Sequence, residues 1–179
     1  MNILFDTIPT LFGRYHILAL VLIILFNTYF YFFVKDKNEE YLINLLHRFG
    51  LFMMILEIFK QLFCFEYVFD RVINLWFFPF QICSLAMYFS FVVKYLDKDK
   101  QNIILVFFVT YSTLTDFVAL LLPLDMLRIQ VPLFIHSFAF HGLIISEIII
   151  AYLILKRRSN YNFKNTLYFF CYGFYCGSD

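Results

Sequence analysis

The sequence predicts an all-α protein, a polytopic bundle of transmembrane helices with five full spans and a short or truncated sixth. Three observations support this fold class. Of the 179 residues, 63% are apolar, 23% are aromatic and only 15% are charged, a balance far more apolar than that of soluble domains. Apolar stretches of about 20 residues, the length that crosses a bilayer as a helix, recur along the chain. Basic residues concentrate in alternate connections between these stretches.

Five apolar stretches meet or approach the spanning length, at about 15–34, 42–65, 74–96, 103–124 and 132–155. The first is long and has no basic region before it, so we interpret it as a retained span rather than a cleaved signal peptide. A sixth stretch, 165–179, is shorter than a normal span, and we favour truncation over a short, frayed helix. No internal repeat or long linker divides the chain, so we expect one integral membrane domain over residues 1–179.

The second stretch is the most polar of the five. It contains His47, Arg48, Glu57, Lys60 and Gln61. If this stretch spans the membrane, these side chains must face the bundle interior, pair with one another or reach the interface at its ends. Glu57 and Lys60 are one helical turn apart and can pair along the helix.

The loop charges predict an orientation. The first, third and fifth connections contain Lys35, Lys37, Lys94, Lys98, Lys100, Lys156, Arg157, Arg158 and Lys164. The positive-inside rule places these connections in the cytoplasm and the N-terminus outside. The sequence has no basic face and no glycine-rich phosphate loop, so nothing in it indicates a nucleic-acid partner. We therefore expect membrane lipids as partners, and the sequence implies no cofactor.

A run of polar side chains interrupts the third stretch, at residues 78–84. Gln81, Cys83 and Ser84 contribute an amide, a thiol and a hydroxyl among Leu, Phe, Tyr and Met residues. Pro79 in the same run can open the helix backbone locally. A lipid-facing helix has no use for these groups, so the run indicates a site at membrane depth.

Orientation places four reactive side chains at a similar depth. The third stretch enters from outside near Asn74, so Cys83 lies about 13 Å deep at about 1.5 Å per residue. In the fifth, fourth and second stretches, His141, Asp116 and Glu57 fall near the same level in the outer half of the bilayer. Ionisable side chains are costly inside a membrane and indicate function by default.

The chemistry that fits these groups is nucleophilic acyl transfer. A histidine such as His141 can take the proton of the Cys83 thiol, and Asp116 or Glu57 can hold that histidine in the right tautomer. Gln81 and Ser84 are candidate donors to an oxyanion. His136 lies nearer the outside and on another helix face, which predicts a surface role or a role where substrate enters.

Other interpretations stay open for the same residues. Buried cysteines are usually small hydrophobic side chains, and Asp116 can be capped by the neighbouring hydroxyls or paired with His141. A transporter or ion-binding protein can use a polar pathway lined by Glu57, Lys60, Asp116, Arg128 and Glu147. Cys83, His141, Asp116 and Glu57 also have the ligand types of a zinc site, although we commit to no metal. A structural protein without any site is the fourth alternative.

The polar motifs resemble those of a known family. Residues 79–85, PFQICSL, resemble the Pro-Leu-His/Gln-Leu-Cys-Ser motif of the integral membrane family that contains YwaF-type proteins and transmembrane protein 164. Residues 134–144, with their His-Gly pair, resemble its second signature, and Glu57 falls where the family tends to carry a glutamate. The likeness extends from about residue 15 to 155. The chain differs in having Gln81 where many relatives have histidine, and in its curtailed last helix.

The resemblance implies a six-helix bundle, and we expect the protein to lie in a bacterial cell membrane. From the eukaryotic member, the resemblance implies an acyltransferase acting on phospholipids through a cysteine acyl intermediate. Cys83 would then be the acyl-accepting nucleophile and His141 the general base. The expected function is a phospholipid acyltransferase or transacylase, and the alternative is a small transporter or ion-binding membrane protein without enzymatic activity.

Overall fold

Helices make up most of the described part of the chain, which in this computed structural model comprises residues 4–69, 71–72, 82–123 and 126–158. The helices are α1 Arg14–Val34, α2 Glu39–Tyr67, α3 Ile82–Val92, α4 Lys98–Leu121 and α5 Val131–Arg157. A 3₁₀ turn, Val93–Tyr95, follows α3. The predicted all-α class is confirmed, and no strand is assigned within the described ranges.

Four of these helices, α1, α2, α4 and α5, are long and apolar enough to cross a membrane. Their bounds lie close to the predicted spans, and the largest difference is at α4, which begins at Lys98 rather than at residue 103. The charged first turn of α4 extends the helix beyond its apolar part. The third predicted span is described from residue 82 onward, as the shorter apolar helix α3. The partial sixth span, 165–179, lies outside the described residues.

Side chains cap two helix starts at the basic end of the bundle. Asn38 accepts a hydrogen bond from the Tyr41 backbone N–H at 2.8 Å, and Asp97 accepts one from the Lys100 N–H at 3.0 Å. Such caps satisfy backbone donors that have no partner inside the helix. The Lys100 ammonium and N–H groups hold the pKa of the Asp97 carboxyl below its usual range.

Helix α5 is the centre of the bundle. In its apolar 18-residue stretch, 67% is buried inside the bundle, against 22% of the corresponding stretch in α1. Helix α5 also contacts all four other helices. The main core cluster, which includes Phe108 and Ile144, lies where α2, α3, α4 and α5 meet. Polar groups on the inner faces of these helices are therefore brought to α5.

Helices α2 and α3 approach each other closely at Gly50. A Cβ atom at this position would lie 2.4 Å from the Phe91 backbone nitrogen and 2.9 Å from the Met87 carbonyl oxygen. Small residues permit such backbone contact between membrane helices. The contact holds α3, and with it Cys83, against α2.

Two arginines at the end of α5 join the basic connections. Arg158 binds Glu39 at 2.8 Å and the side-chain oxygen of Gln101 at 2.7 Å, and it also contacts Asn102. Arg157 donates to the backbone carbonyls of Lys35 and Lys37. The structure thus gathers the α1–α2 connection and the starts of α2 and α4 at one end of the bundle.

Candidate functional site

All four histidines of the chain are buried, and they fall into two kinds. The first kind binds backbone groups. His16 accepts the Phe12 N–H at Nδ1 over 3.0 Å, so its Nε2–H donates to the Leu120 carbonyl at 2.9 Å. His47 binds the Phe91 carbonyl through Nδ1 at 2.7 Å. Both rings therefore join helices, as structural histidines do.

The second kind faces a carboxylate, and His141 is the clearer case. Its Nδ1 lies 2.6 Å from Asp116 Oδ1, and both side chains are at most one-tenth exposed. The contact joins α5 to α4 inside the bundle. Because the aspartate accepts the proton on Nδ1, it selects the tautomer in which Nε2 has a free lone pair. Of the two open interpretations of Asp116, pairing with His141 is the one observed.

A wide turn in α4 lies directly before Asp116. Residues Phe108–Ser112 form a π-helical turn, and the Thr113 hydroxyl donates to the Phe108 carbonyl at 3.2 Å. Thr115 donates to the Tyr111 carbonyl at 2.9 Å. These threonines bond to backbone in α4, so they leave Asp116 to His141. Single π turns inside α-helices often occur at functional sites.

Glu57 is the centre of a second polar group, on α2. Its Oε1 is 2.5 Å from the Lys60 ammonium and accepts a hydrogen bond from Gln61 at 2.8 Å. The predicted pairing of Glu57 with Lys60 is confirmed. The other oxygen, Oε2, lies 3.9 Å from Nε2 of His136 on α5.

His136 lies inside the bundle rather than at its surface. Its side chain is 7% exposed, stacks on Phe140 and faces Glu57. The expected surface position is wrong because helix α2 packs against this side of α5 and covers the ring. The predicted role of His136 in substrate binding stays a prediction.

Cys83 lies in the first turn of α3, on the side of the bundle where α2 ends. The thiol is half-buried against the main core cluster, interacts with the adjacent Ser84 side chain and lies within the electrostatic reach of Lys60. Ser84 itself is buried. Helix α3 contacts both α4 and α5, which carry Asp116 and His141. Gln81, the other predicted oxyanion donor, lies outside the described residues.

Asn27 and Ser146 are two buried residues that the sequence did not single out. Asn27 on α1 donates to the Gly142 carbonyl at 3.0 Å, and its side-chain oxygen accepts from Ser146 at 2.7 Å. This clamp fixes α1 to the turn of α5 that follows His141. An amide within a long apolar run was the available signal, since the same reasoning singled out Gln81.

Glu147 is completely buried farther along α5. Neither of its carboxyl oxygens has a hydrogen bond of normal geometry within the described residues, and the buried Ser90 hydroxyl on α3 is its polar neighbour.

The zinc alternative finds no support here. Among the residues that the structure describes, no three histidine, cysteine or acidic side chains group as metal ligands.

The comparison with protein families decides the relationship of this chain. Its sequence matches the model of the TMEM164 family over residues 11–177. The chain belongs to the TMEM164 family. No curated protein and no solved structure matches it. The predicted resemblance is therefore confirmed for transmembrane protein 164, and the YwaF-type part of it stays a prediction.

Membership in the TMEM164 family agrees with a multi-pass membrane protein of helices. The match includes both polar groups described above, around Glu57 and around His141, as well as Cys83. The geometry of these groups must therefore indicate which chemistry the site performs.

Proposed function

We propose that this TMEM164-family protein is a phospholipid acyltransferase that uses Cys83 as its nucleophile. The observation that carries the proposal is the buried pair of His141 and Asp116, with Nδ1 and Oδ1 2.6 Å apart. This is the base and its orienting carboxylate, two of the three parts of a nucleophilic triad. The third part, Cys83, is on a helix that packs against both of theirs.

The proposed first half-reaction transfers an acyl group to sulfur. Nε2 of His141 takes the thiol proton, and the thiolate attacks the ester carbonyl carbon of the lipid. The ester C–O bond breaks, and the leaving alkoxide receives the proton from His141. The products are a lysolipid and a thioester on Cys83. In the second half-reaction, an acceptor hydroxyl takes the acyl group and the thiol is restored.

The proposed location of this chemistry is the outer half of the bilayer, with the N-terminus outside. The gathering of the basic connections at one end of the bundle supports this orientation. A membrane-impermeant maleimide applied to intact cells should label Asp6→Cys and leave Asp36→Cys unlabelled. Both positions are exposed, and the opposite labelling pattern would reverse the orientation.

The acyl intermediate is tested directly. Membranes that contain the protein are incubated with a phospholipid labelled in its acyl chain, and a hydroxylamine-sensitive adduct is sought on Cys83. We expect the adduct in the wild type and its loss in Cys83→Ala. Cys64→Ala is the matched control, since Cys64 is a buried thiol on α2 near the same Lys60 and should be dispensable. An intact, folded wild type without any adduct would refute the proposal.

One observation favours the alternative of an ion-binding or transport protein. Glu147 places a fully buried carboxyl group in the bundle beyond the pair of His141 and Asp116, without a cation beside it in the described residues. Buried carboxyl groups of this kind carry protons or cations in transporters. Proton or cation flux in liposomes that survives Cys83→Ala and is lost in Glu147→Gln would establish this function instead.

A further inference from the structure

The gap between His136 and Glu57 has the size of one bridging water molecule. Their facing atoms, Nε2 and Oε2, are 3.9 Å apart, which is too long for a direct hydrogen bond. A water that donates to both atoms over about 2.8 Å would set them about 4.4 Å apart with linear hydrogen bonds, so at 3.9 Å both bonds bend modestly. Polar contacts beyond 3.5 Å in proteins are commonly bridged in this way.

Both facing atoms can accept a hydrogen bond. Nε2 of His136 is buried and makes no hydrogen bond within the described residues. A neutral ring with its hydrogen on Nδ1 presents a lone pair at Nε2. Glu57 is ion-paired with Lys60 through Oε1, so Oε2 is an acceptor as well. Two acceptors that face one point fit a molecule with two hydrogens on the same oxygen.

The side chains on both sides of this gap are buried. Glu57 is 5% exposed and His136 is 7% exposed. Lys60 and Gln61 hold Oε1, which fixes the direction of the carboxylate.

His47 binds the Phe91 carbonyl at the end of α3, so α2 runs from the end of α3 toward its start. Glu57 lies about 10 Å beyond Gly50 along α2, which brings its polar group toward Cys83 in the first turn of α3.

We propose that His136 and Glu57 hold a water molecule that attacks the acyl group on Cys83, which gives the protein a hydrolytic activity besides transfer. The inference rests on the proposed acyl intermediate. It adds a second reaction, release of the acyl group as a free fatty acid. His136 is then the base of the hydrolytic step, whereas His141 serves the acylation step.

The hydrolytic step forms a C–O bond and breaks the C–S bond of the thioester. The water oxygen bonds to the thioester carbonyl carbon while one of its protons moves to Nε2 of His136. The C–S bond breaks, and the thiolate of Cys83 leaves. The proton on His136 returns to sulfur, so the products are a fatty acid and the thiol. Glu57 accepts the other water hydrogen and orients the oxygen.

The experiment follows the acyl adduct after it has formed. Purified full-length protein in nanodiscs is loaded with the labelled phospholipid in water enriched in heavy oxygen. Formation of the Cys83 adduct, its decay and the isotopic content of the released fatty acid are measured for the wild type, His136→Gln and Glu57→Gln. His47→Gln is the matched histidine control, since His47 is buried on α2 and binds only backbone at its Nδ1.

In the wild type we expect a fatty acid that contains one solvent oxygen. In both site variants the adduct that has formed should decay to fatty acid about a hundredfold more slowly, the usual contribution of a general base, whatever the rate at which it forms. His47→Gln should decay like the wild type. Unchanged decay in His136→Gln and Glu57→Gln, or ester products alone without fatty acid, overturns the water site and leaves acyl transfer intact. A wild type without any adduct overturns both proposals.

Discussion

Single residues in this bundle show how a membrane interior handles polar groups. Each ionisable or amide side chain placed there costs free energy unless it finds a partner. Three of these side chains hydrogen-bond backbone carbonyls on other helices and so hold the helices together: His16, His47 and Asn27. His141 instead binds a carboxylate and keeps one ring nitrogen for other use. That difference separates the candidate base from the structural histidines.

Replacing Asp116 with asparagine should leave the fold intact and remove most of the activity. The amide can still bind Nδ1, but it can stabilise neither the correct tautomer nor the protonated ring. We expect the rate of acyl-adduct formation on Cys83 to fall about a thousandfold. Asp99→Asn, an exposed change in the first turn of α4, is the control and should react normally. Normal adduct formation in Asp116→Asn would remove the pair from the mechanism.

Replacing Asn27 with alanine should loosen α1 from α5. The change removes the donor to the Gly142 carbonyl and the acceptor for Ser146. Hydrogen bonds between membrane helices contribute about 1 kcal/mol, so the free energy of unfolding in detergent should fall by about that amount. Thr28→Ala is suitable for comparison, because the exposed Thr28 hydroxyl bonds only within its own helix. Equal stability of the two variants would contradict a clamping role for Asn27.

At the scale of whole helices, close approach depends on the small residues at the contacts. α2 and α3 touch backbone to backbone at Gly50, whereas at Gly142 the nearest atom of α1 is a side-chain carbon of Ile23, 3.2 Å from a built Cβ. A side chain can move by a few tenths of an ångström, but a helix backbone can do so only as a unit. A methyl group at Gly142 can therefore be accommodated more easily than one at Gly50.

Gly50→Ala should destabilise the protein more than Gly142→Ala. Alanine gains about 1 kcal/mol of helix propensity at either position. At Gly50 the clash with the Phe91 backbone nitrogen forces α2 and α3 apart, which should cost more than this gain, by about 1–3 kcal/mol. Gly142→Ala should stay within about 1 kcal/mol of the wild type. Chemical unfolding in detergent measures both, and the reverse order would contradict this packing.

At the scale of the molecule, one end of the bundle is held by charges and the other by backbone contacts. Arg158 joins the starts of α2 and α4 to the end of α5 through Glu39 and Gln101. At the opposite end, the Phe5 N–H donates to the Ile129 carbonyl at 2.9 Å, which ties the segment before α1 to the start of α5. The central helix is thereby fixed at both ends.

Arg158→Met should weaken the basic end without affecting the site. The change removes a charged donor from Glu39 and Gln101, and its loss should lower the free energy of unfolding by about 1–2 kcal/mol. Proteolysis of the α1–α2 connection should also become faster. Lys156→Gln removes an exposed charge from the same turn and should change neither measurement. Similar results for the two variants would show that Arg158 is not a structural link.

Patterns along the chain were enough to predict the all-α membrane class, the approximate bounds of four spans and the pairing of Glu57 with Lys60. Apolar length and helical spacing are local properties, so they can be read along the chain. The pairing of Asp116 with His141, the inward position of His136 beside Glu57 and the clamp of Asn27 between α1 and α5 became visible only in the folded bundle. These contacts join residues far apart in sequence. They depend on how each helix is rotated about its axis, which packing fixes and hydrophobicity alone does not.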